Sequence, residues 1–364
     1  MPSARCLRFL SSGESGMGRL KRSRLVEILE SFKDLSAIVV GDFALDVYWY
    51  ADMTMSELSR ETPRYTRPIV REIYSPGASG NISWNLRDLG VRNVYAVTVI
   101  GEDWRGQILV ERLKDIGVRT EYMIQSPDRV TPSYIKPILC GFDSQQEDSR
   151  LDFINLKPIS SDLEEHLIDN IEDLISVVNA VIVEDQMSKN GVISDYVRQS
   201  LIDLAGENPE KVFVVNSRER IGLFKNMVLK PNKIEAVKAL YPFREPSEVE
   251  IDELVIMGRE LFKRANRPVY ITLGEKGALL IDEEGHSHLP AAPTKPPIDP
   301  VGAGDTFISA IGASLAAGAS PLEAGIIANI AASVILKKLN ITGTASPKEI
   351  LDKFDEISKG DEWP

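Results

Sequence analysis

Ile298-Asp299-Pro300-Val301-Gly302-Ala303-Gly304-Asp305-Thr306-Phe307 decides how this chain is read. Pro300 disfavours helix at Asp299, so the apolar-periodic segment that runs on to Gly318 has to start within Gly302 to Asp305. The first N–H groups of a helix lack intrahelical partners and lie at the positive end of its dipole. Gly302 and Gly304 put no side chain in the way of an anion approaching that backbone. Asp305 then stands in the first turn, where a carboxylate and a bound phosphate repel each other. The placement makes chemical sense if Asp305 takes the proton from a nucleophile attacking that phosphate. The plainer alternative is an acid that merely favours a helix N-terminus.

The composition is compatible with an enzyme of this kind. The chain has 364 residues, 43% of them hydrophobic, enough for one large core or a core with an insert. A net charge of −12 and the absence of a basic cluster argue against a nucleic-acid surface. Cys6 and Cys140 are too few for a disulfide framework, which implies a reducing cytoplasm. No apolar run is long enough for a membrane span. Residues 1–24 carry six basic side chains against Glu14 alone but lack the apolar stretch of a secretory signal. Residues 1–16 are therefore read as a disordered or upstream extension, with Met17 as the start and a short amphipathic helix leading into the core by residue 35.

Upstream, short β-branched runs alternate with helical patterns. Ala37–Val40, Val94–Ile100, Ala180–Val183 and Val212–Val215 read as buried parallel strands, with helices expected over 103–116, 161–176 and 191–205. Gly41-Asp42 ends the first strand and Asp46 follows four residues later, well placed for a ligand in the crevice beyond a strand's carboxyl end. A turn-capping role suits Asp42 at least as well. Pro76-Gly77-Ala78-Ser79-Gly80-Asn81 opens a helix with small residues and a two-way amide. Asn232 and Glu235 stand three apart at another helix start, which fits either a capping box or a pair facing a ligand. The aromatic segments 47–52 and 65–74 suggest a small accessory sheet over the site.

Taken together, these stretches resemble the PfkB/ribokinase family of sugar kinases. Asp299-Pro300-Val301-Gly302-Ala303-Gly304-Asp305 is similar to its D-T-x-G-A-G-D signature, with Pro300 in place of Thr. Pro76 to Asn81 is similar to P-G-G-x-x-N, with Ala78 in place of the second Gly. Glu184-Asp185-Gln186-Met187-Ser188-Lys189 looks like S-D-Y-x-K-G, Asn232 to Glu235 like N-x-x-E, and Thr272 to Gly277 like T-x-G-x-x-G. After Val215 the chain has Asn216-Ser217-Arg218, where relatives often have Asp. Within the family the nearest resemblance is to heptose-phosphate kinases, through Gly41-Asp42-Phe43-Ala44-Leu45-Asp46, Arg150-Leu151-Asp152-Phe153 and Gly343 to Pro347. Their usual S-P-E-A-P-V-P loop is here Ser59-Arg60-Glu61-Thr62-Pro63-Arg64-Tyr65.

The resemblance implies an α/β, ribokinase-like three-layer αβα sandwich with a mostly parallel sheet. Residues 36–358 would be the kinase domain, with a β lid from about 45–75 and 130–150. It also implies ATP and Mg2+, and extends to a monovalent cation such as K+. By the same resemblance the amides of Gly302, Ala303 and Gly304 hold the phosphoryl group and Asp305 is the base. Asp46, Gly77, Asn81, Asp185, Lys189 and Arg150 fall to the sugar or sugar phosphate, although a surface ion pair with a nearby acid suits Arg150 at least as well. Asn232, Thr272, Gly274, Gly277, Asn329 and Ser333 fall to the nucleotide, with Asn232 and Glu235 organising Mg2+ through water. The lids of relatives meet about a two-fold axis, which implies a homodimer. A dinucleotide-dependent oxidoreductase is disfavoured because Phe307 stands where a third glycine of G-x-G-x-x-G belongs. A non-catalytic sugar-binding relative is the other rival, and Asp305, Asn232 and Glu235 argue against it.

Overall fold

The computed structural model describes residues 20–339 and 343–359. The reading of residues 1–16 lies outside them. In chain order the strands are β1 (Ser36–Gly41), β2 (Phe43–Asp52), β3 (Ile69–Ala78), β4 (Asn93–Gly101), β5 (Met123–Ser126), β6 (Ser133–Cys140) and β7 (Gln145–Glu147). They continue with β8 (Leu151–Phe153), β9 (Ala180–Asp185), β10 (Val212–Ser217), β11 (Val228–Leu229), β12 (Val269–Thr272), β13 (Ala278–Asp282) and β14 (Gly285–Leu289). Nine of them form one sheet in the order β14-β13-β12-β11-β10-β9-β1-β4-β5. It is parallel except for β12-β13-β14, which pair antiparallel.

Side-chain alternation along these strands builds the three layers. Ala37 and Val39 of β1 and Ala180 and Ile182 of β9 face one core, with the helices Ser79–Asp88, Ala303–Ala316 and Pro321–Ile335. Ile38 and Val40, with Val181 and Val183, face the opposite core and the helices Ser161–Ile175, Asp195–Glu207 and Ile251–Ala265. Burial on both faces explains why these strands read as continuous apolar runs. Among the described residues no helix is long and apolar enough to cross a membrane.

β2, β3, β6, β7 and β8 form a second, five-stranded sheet. β2 pairs with β3 antiparallel and with β6 parallel. It begins at Phe43, one residue after β1 ends, so Asp42 is the corner between the two sheets. Leu45 and Val47 point into the core and partly buried Trp49 packs against it. Trp49 falls in the aromatic segment 47–52 that the sequence placed in the accessory sheet, and its alternation with Tyr48 and Tyr50 turns it inward. The helix Ile251–Ala265 has no counterpart in the sequence expectations, although buried Leu254, Val255, Leu261 and Ala265 carry a helical spacing. The helix expected from residue 191 starts at Asp195 instead, because Ser194 accepts from the Val197 N–H at 3.2 Å and caps it there.

Candidate active site

The strands β1, β9, β10 and β11 end at one edge of the large sheet, in the crevice where ligands of open α/β sheets bind. Two helices start over that edge. One begins at Ala303 behind Gly302, whose φ of 81° is left-handed and suits glycine. Within its first turn the Ala303 N–H donates to the Pro300 carbonyl at 3.1 Å. This corrects the expectation that three consecutive amides face an anion. Among the described residues the Gly302, Gly304 and Asp305 N–H groups have no protein acceptor. Nearby, the ammonium of buried Lys230 is 3.6 Å from where a Cβ on Gly304 would sit.

The other helix, Ser79–Asp88, brings Asn81 to Asp305. Asn81 Nδ2 donates to Asp305 Oδ2 at 2.6 Å. Asn85 Nδ2 donates to Asn81 Oδ1 at 3.2 Å, and Thr306 Oγ1 donates to Asn85 Oδ1 at 2.6 Å. The ring of four side chains fixes which end of the Asn81 amide meets the carboxylate. Neither Asn85 nor Thr306 stood out in the sequence. The available signal was spacing, since Asn85 lies one helical turn from Asn81 and Thr306 is next to Asp305.

Burial pushes the Asp305 carboxyl above its usual range, while Asn81, Lys230 and Arg218 work against the rise. Glu184, at the end of β9, goes well above the carboxylate range through burial and then through the Asp305 charge. Asn216, its register partner on β10, donates to both Glu184 oxygens at 3.0 Å. Asn81 donates to Asp305 as Asn216 does to Glu184, and each donor favours the charged form of its carboxylate. Glu184 was not singled out in the sequence, because it occupies the Ser position of S-D-Y-x-K-G.

Asp46 lies on β2 facing Asp305 across the crevice, and burial raises its pKa to about 6, with Lys136 opposing and Asp305 adding. Gly77 makes room for it: a Cβ there would come within 2.8 Å of Asp46 Oδ2. Asp42 is a turn cap, accepting from the Met187 and Val192 N–H groups at 2.7 Å each. Asp185 points into the protein, where Ser217 Oγ and the Arg220 guanidinium take up its carboxylate. Arg150 is paired with Asp152 through two hydrogen bonds, at 2.6 and 2.7 Å. Lys189 is exposed on the loop after β9.

Of the residues the sequence reading gave to a nucleotide, Asn232, Thr272 and Gly274 line one cavity of about 360 Å3 with Ile251, Leu254 and Lys276. Asn232 and Glu235 form a full capping box: the Glu235 N–H donates to Asn232 Oδ1 at 2.9 Å and the Asn232 N–H to Glu235 Oε2 at 2.7 Å. Burial raises the Glu235 carboxyl, with Lys230 opposing. Gly277 abuts the Leu289 carbonyl rather than an open space. Asn329 donates to the Leu289 carbonyl at 3.1 Å, and Ser333 Oγ to the Ile330 carbonyl at 2.6 Å. Both side chains therefore spend hydrogen bonds on backbone. Among the described residues no group of three or more His, Cys, Asp or Glu is placed to hold a metal.

Comparison with known proteins identifies the family and the fold. The chain is 29% identical over 324 residues, 86% of its length, to the curated "Bifunctional protein HldE" of Bradyrhizobium sp. (strain ORS 278). It spans 63% to 65% of the length of such relatives. Among solved structures it is similar to Arabidopsis thaliana ribokinase complexed with ribose and ATP, with a TM-score of 0.63 and 20% identity, covering 88% of this chain and 98% of that one. It is also similar to Escherichia coli phosphofructokinase-2 in complex with fructose-6-phosphate, with a TM-score of 0.64 and 19% identity, covering 89% and 99%. These two establish the ribokinase-like fold. Residues 45–349, from just before Asp46 to the last helix, match the family described as pfkB family carbohydrate kinase. The chain belongs to that family and is a carbohydrate kinase.

Proposed function

We propose that the chain transfers the γ-phosphoryl group of ATP to a hydroxyl of a sugar or sugar phosphate, with heptose 7-phosphate, giving the 1,7-bisphosphate, as the first acceptor to test. The single observation that carries this reading is the Asn81–Asp305 contact at the start of a glycine-capped helix. A carboxylate that accepts from Asn81 sits beside free backbone N–H groups, where an attacking hydroxyl and a phosphoryl group would meet.

In this scheme Asp46 orients acceptor hydroxyls and Asp305 accepts the proton of the attacking one. That oxygen bonds to the γ-phosphorus as the bond to the bridging oxygen breaks, and ADP leaves. The Gly302 and Gly304 amides and Lys230 meet the charge on the transferring group. The cavity at Asn232, Thr272 and Gly274 takes the nucleotide, and Asn329 and Ser333 serve as wall rather than as hydrogen-bond partners. Mg2+ supplies charge neutralisation on the phosphates. Glu235 suits its outer shell, being a half-buried carboxylate with one oxygen spent on the cap, and sparse coordination completed by phosphate and water is Mg2+ chemistry. A K+ requirement is left to direct titration.

The departure at Ser59 to Tyr65 favours one second reading, a kinase for another sugar or nucleoside on the same fold. ADP release measured across free sugars, sugar phosphates and nucleosides separates the two. The proposal expects stimulation by a phosphorylated sugar, greatest with heptose 7-phosphate. No ADP release with any acceptor would refute it and favour a non-catalytic relative.

A further inference from the structure

The lid face that carries Asp46 does not stop there. On β2, Asp46, Tyr48 and Tyr50 share one face, while Leu45, Val47 and Trp49 take the other and pack on the core. Strand register extends that face sideways in rows. Asp46 pairs with Ser75 and Tyr134, Tyr48 with Ile73 and Lys136, and Tyr50 with Arg71 and Ile138. Successive rows are about 7 Å apart. The second and third rows open on a cavity of about 430 Å3, lined by Tyr48, Tyr50, Arg71, Lys136, Gln145 and Val301 among others. Val301 belongs to the segment that leads into Gly302, so this cavity adjoins the phosphoryl end of the site.

Two cations furnish it. Lys136 Nζ is 3.3 Å from Tyr48 Oη and 4.8 Å from the centre of that ring. The Arg71 guanidinium lies 3.7 Å above the Tyr50 ring. Among the described residues neither forms an ion pair, although Glu147 and Asp299 also line the cavity and the Glu147 charge reaches Lys136. Burial works against the Lys136 ammonium, but Tyr48 and Asp46 outweigh it, so Lys136 is a cation at neutral pH. Ring faces hold both cations in place while leaving N–H donors free. Arg150, the cation the sequence suggested for a sugar phosphate, already has both carboxylate oxygens of Asp152.

We infer that Lys136 and Arg71 form the subsite for the anionic group of a phosphorylated acceptor, whose hydroxyls lie in the Asp46 row. This deepens the kinase reading and rests on it for what happens at the other end of the acceptor. The lid then selects substrates by charge: a phosphate one or two rows out from the reacting hydroxyl gains charge-assisted hydrogen bonds that a free sugar lacks.

Direct binding tests this without depending on turnover. Heptose 7-phosphate and hexose 6-phosphates are titrated calorimetrically, each beside its unphosphorylated sugar, into the full chain and into Lys136→Met, Arg71→Met and Lys136→Arg. The chain is expected to bind at least one phosphosugar 10-fold or more tightly than its free counterpart. Lys136→Met and Arg71→Met should each lose most of that preference and keep their affinity for ATP, which shows that they are folded. Lys136→Arg should recover it. Equal affinity for phosphorylated and free sugars in the parent overturns the subsite. So does a preference that survives both methionine variants but disappears in Arg150→Met. A chain that discriminates in binding yet releases no ADP would keep the subsite while refuting the kinase reading.

Discussion

Asn81 and Asp305, separated by 224 positions in the chain, share a hydrogen bond of 2.6 Å that ties the starts of two helices together over the sheet edge. Asn81 is itself held by Asn85, and Asn85 by Thr306. Replacing Asn85 by Ala frees the Asn81 amide to flip, which would turn its oxygen toward the carboxylate. The expected outcome is a fall in kcat on the order of 10-fold or more, since small misplacements at a reacting group are costly, with the KM for ATP little changed. Steady-state kinetics checks this, and an unchanged kcat would mean that the ring only joins the two helices.

Asp46 gives a pH signature. Its folded-state pKa, about 6, lies above the ordinary value of 3.8 because of burial. The charge it needs to accept sugar hydroxyls is lost below about pH 6, so the KM for the acceptor should rise as pH falls through that region. The midpoint belongs jointly to Asp46 and Asp305, whose charges interact. For stability the sign is opposite. A raised pKa stabilises fully below the unfolded value and is lost as pH rises through the folded one. Asp46→Asn should therefore melt higher than the parent at pH 8 and not at pH 4, by at most about 3 kcal/mol for a shift of roughly two units. A variant that melts lower at pH 8 would show that the ionised carboxylate is compensated in place.

Glu235 closes a capping box and is also the proposed outer partner of Mg2+. Glu235→Gln keeps an oxygen for the Asn232 N–H, so its cost in stability should stay below about 1 kcal/mol. The Mg2+ concentration for half-maximal rate should rise several-fold. If titration with Mg2+ gives the same curve for both proteins, the cap is the whole role of Glu235.

The lid exposes apolar side chains in a single chain: Tyr65 is 72% exposed, Val70 58% and Ile69 41%. We propose that a second copy covers them about a two-fold axis, which also hides the edge of β3. Trp49 packs against the core, so Val70→Glu is the informative variant. Light scattering at micromolar concentration should give twice the mass of one chain for the parent and a single chain for the variant. A parent of single-chain mass would remove the dimer.

What the sequence disclosed follows from how local each signal is. The start of the Asp305 helix was legible because a proline, two glycines and an acid set it within a few residues. The alternating strands were legible because burial on both faces leaves continuous apolar runs. The Asn85–Thr306 bond was not, since it joins positions 221 apart and neither residue is unusual locally. Asp185 looked available to ligand because its partner, Arg220, is matched only after folding, whereas the pairing of Arg150 with an acid two residues away was open from the sequence. Lys136 was hidden for the opposite reason. One lysine in an aromatic strand says little until the register places it two residues out from Asp46 on the same face.

Asp305 carries the central claim, and one substitution tests it directly. Asp305→Asn preserves the shape of the side chain and removes the proton acceptor. Measured by acceptor-dependent ADP release alongside calorimetric ATP binding, it should bind ATP nearly as the parent does while kcat falls by about 10²–10⁴-fold, the usual contribution of a general base. Near-parental kcat with intact ATP binding would contradict the account and leave Asp305 as an acid that merely favours a helix N-terminus.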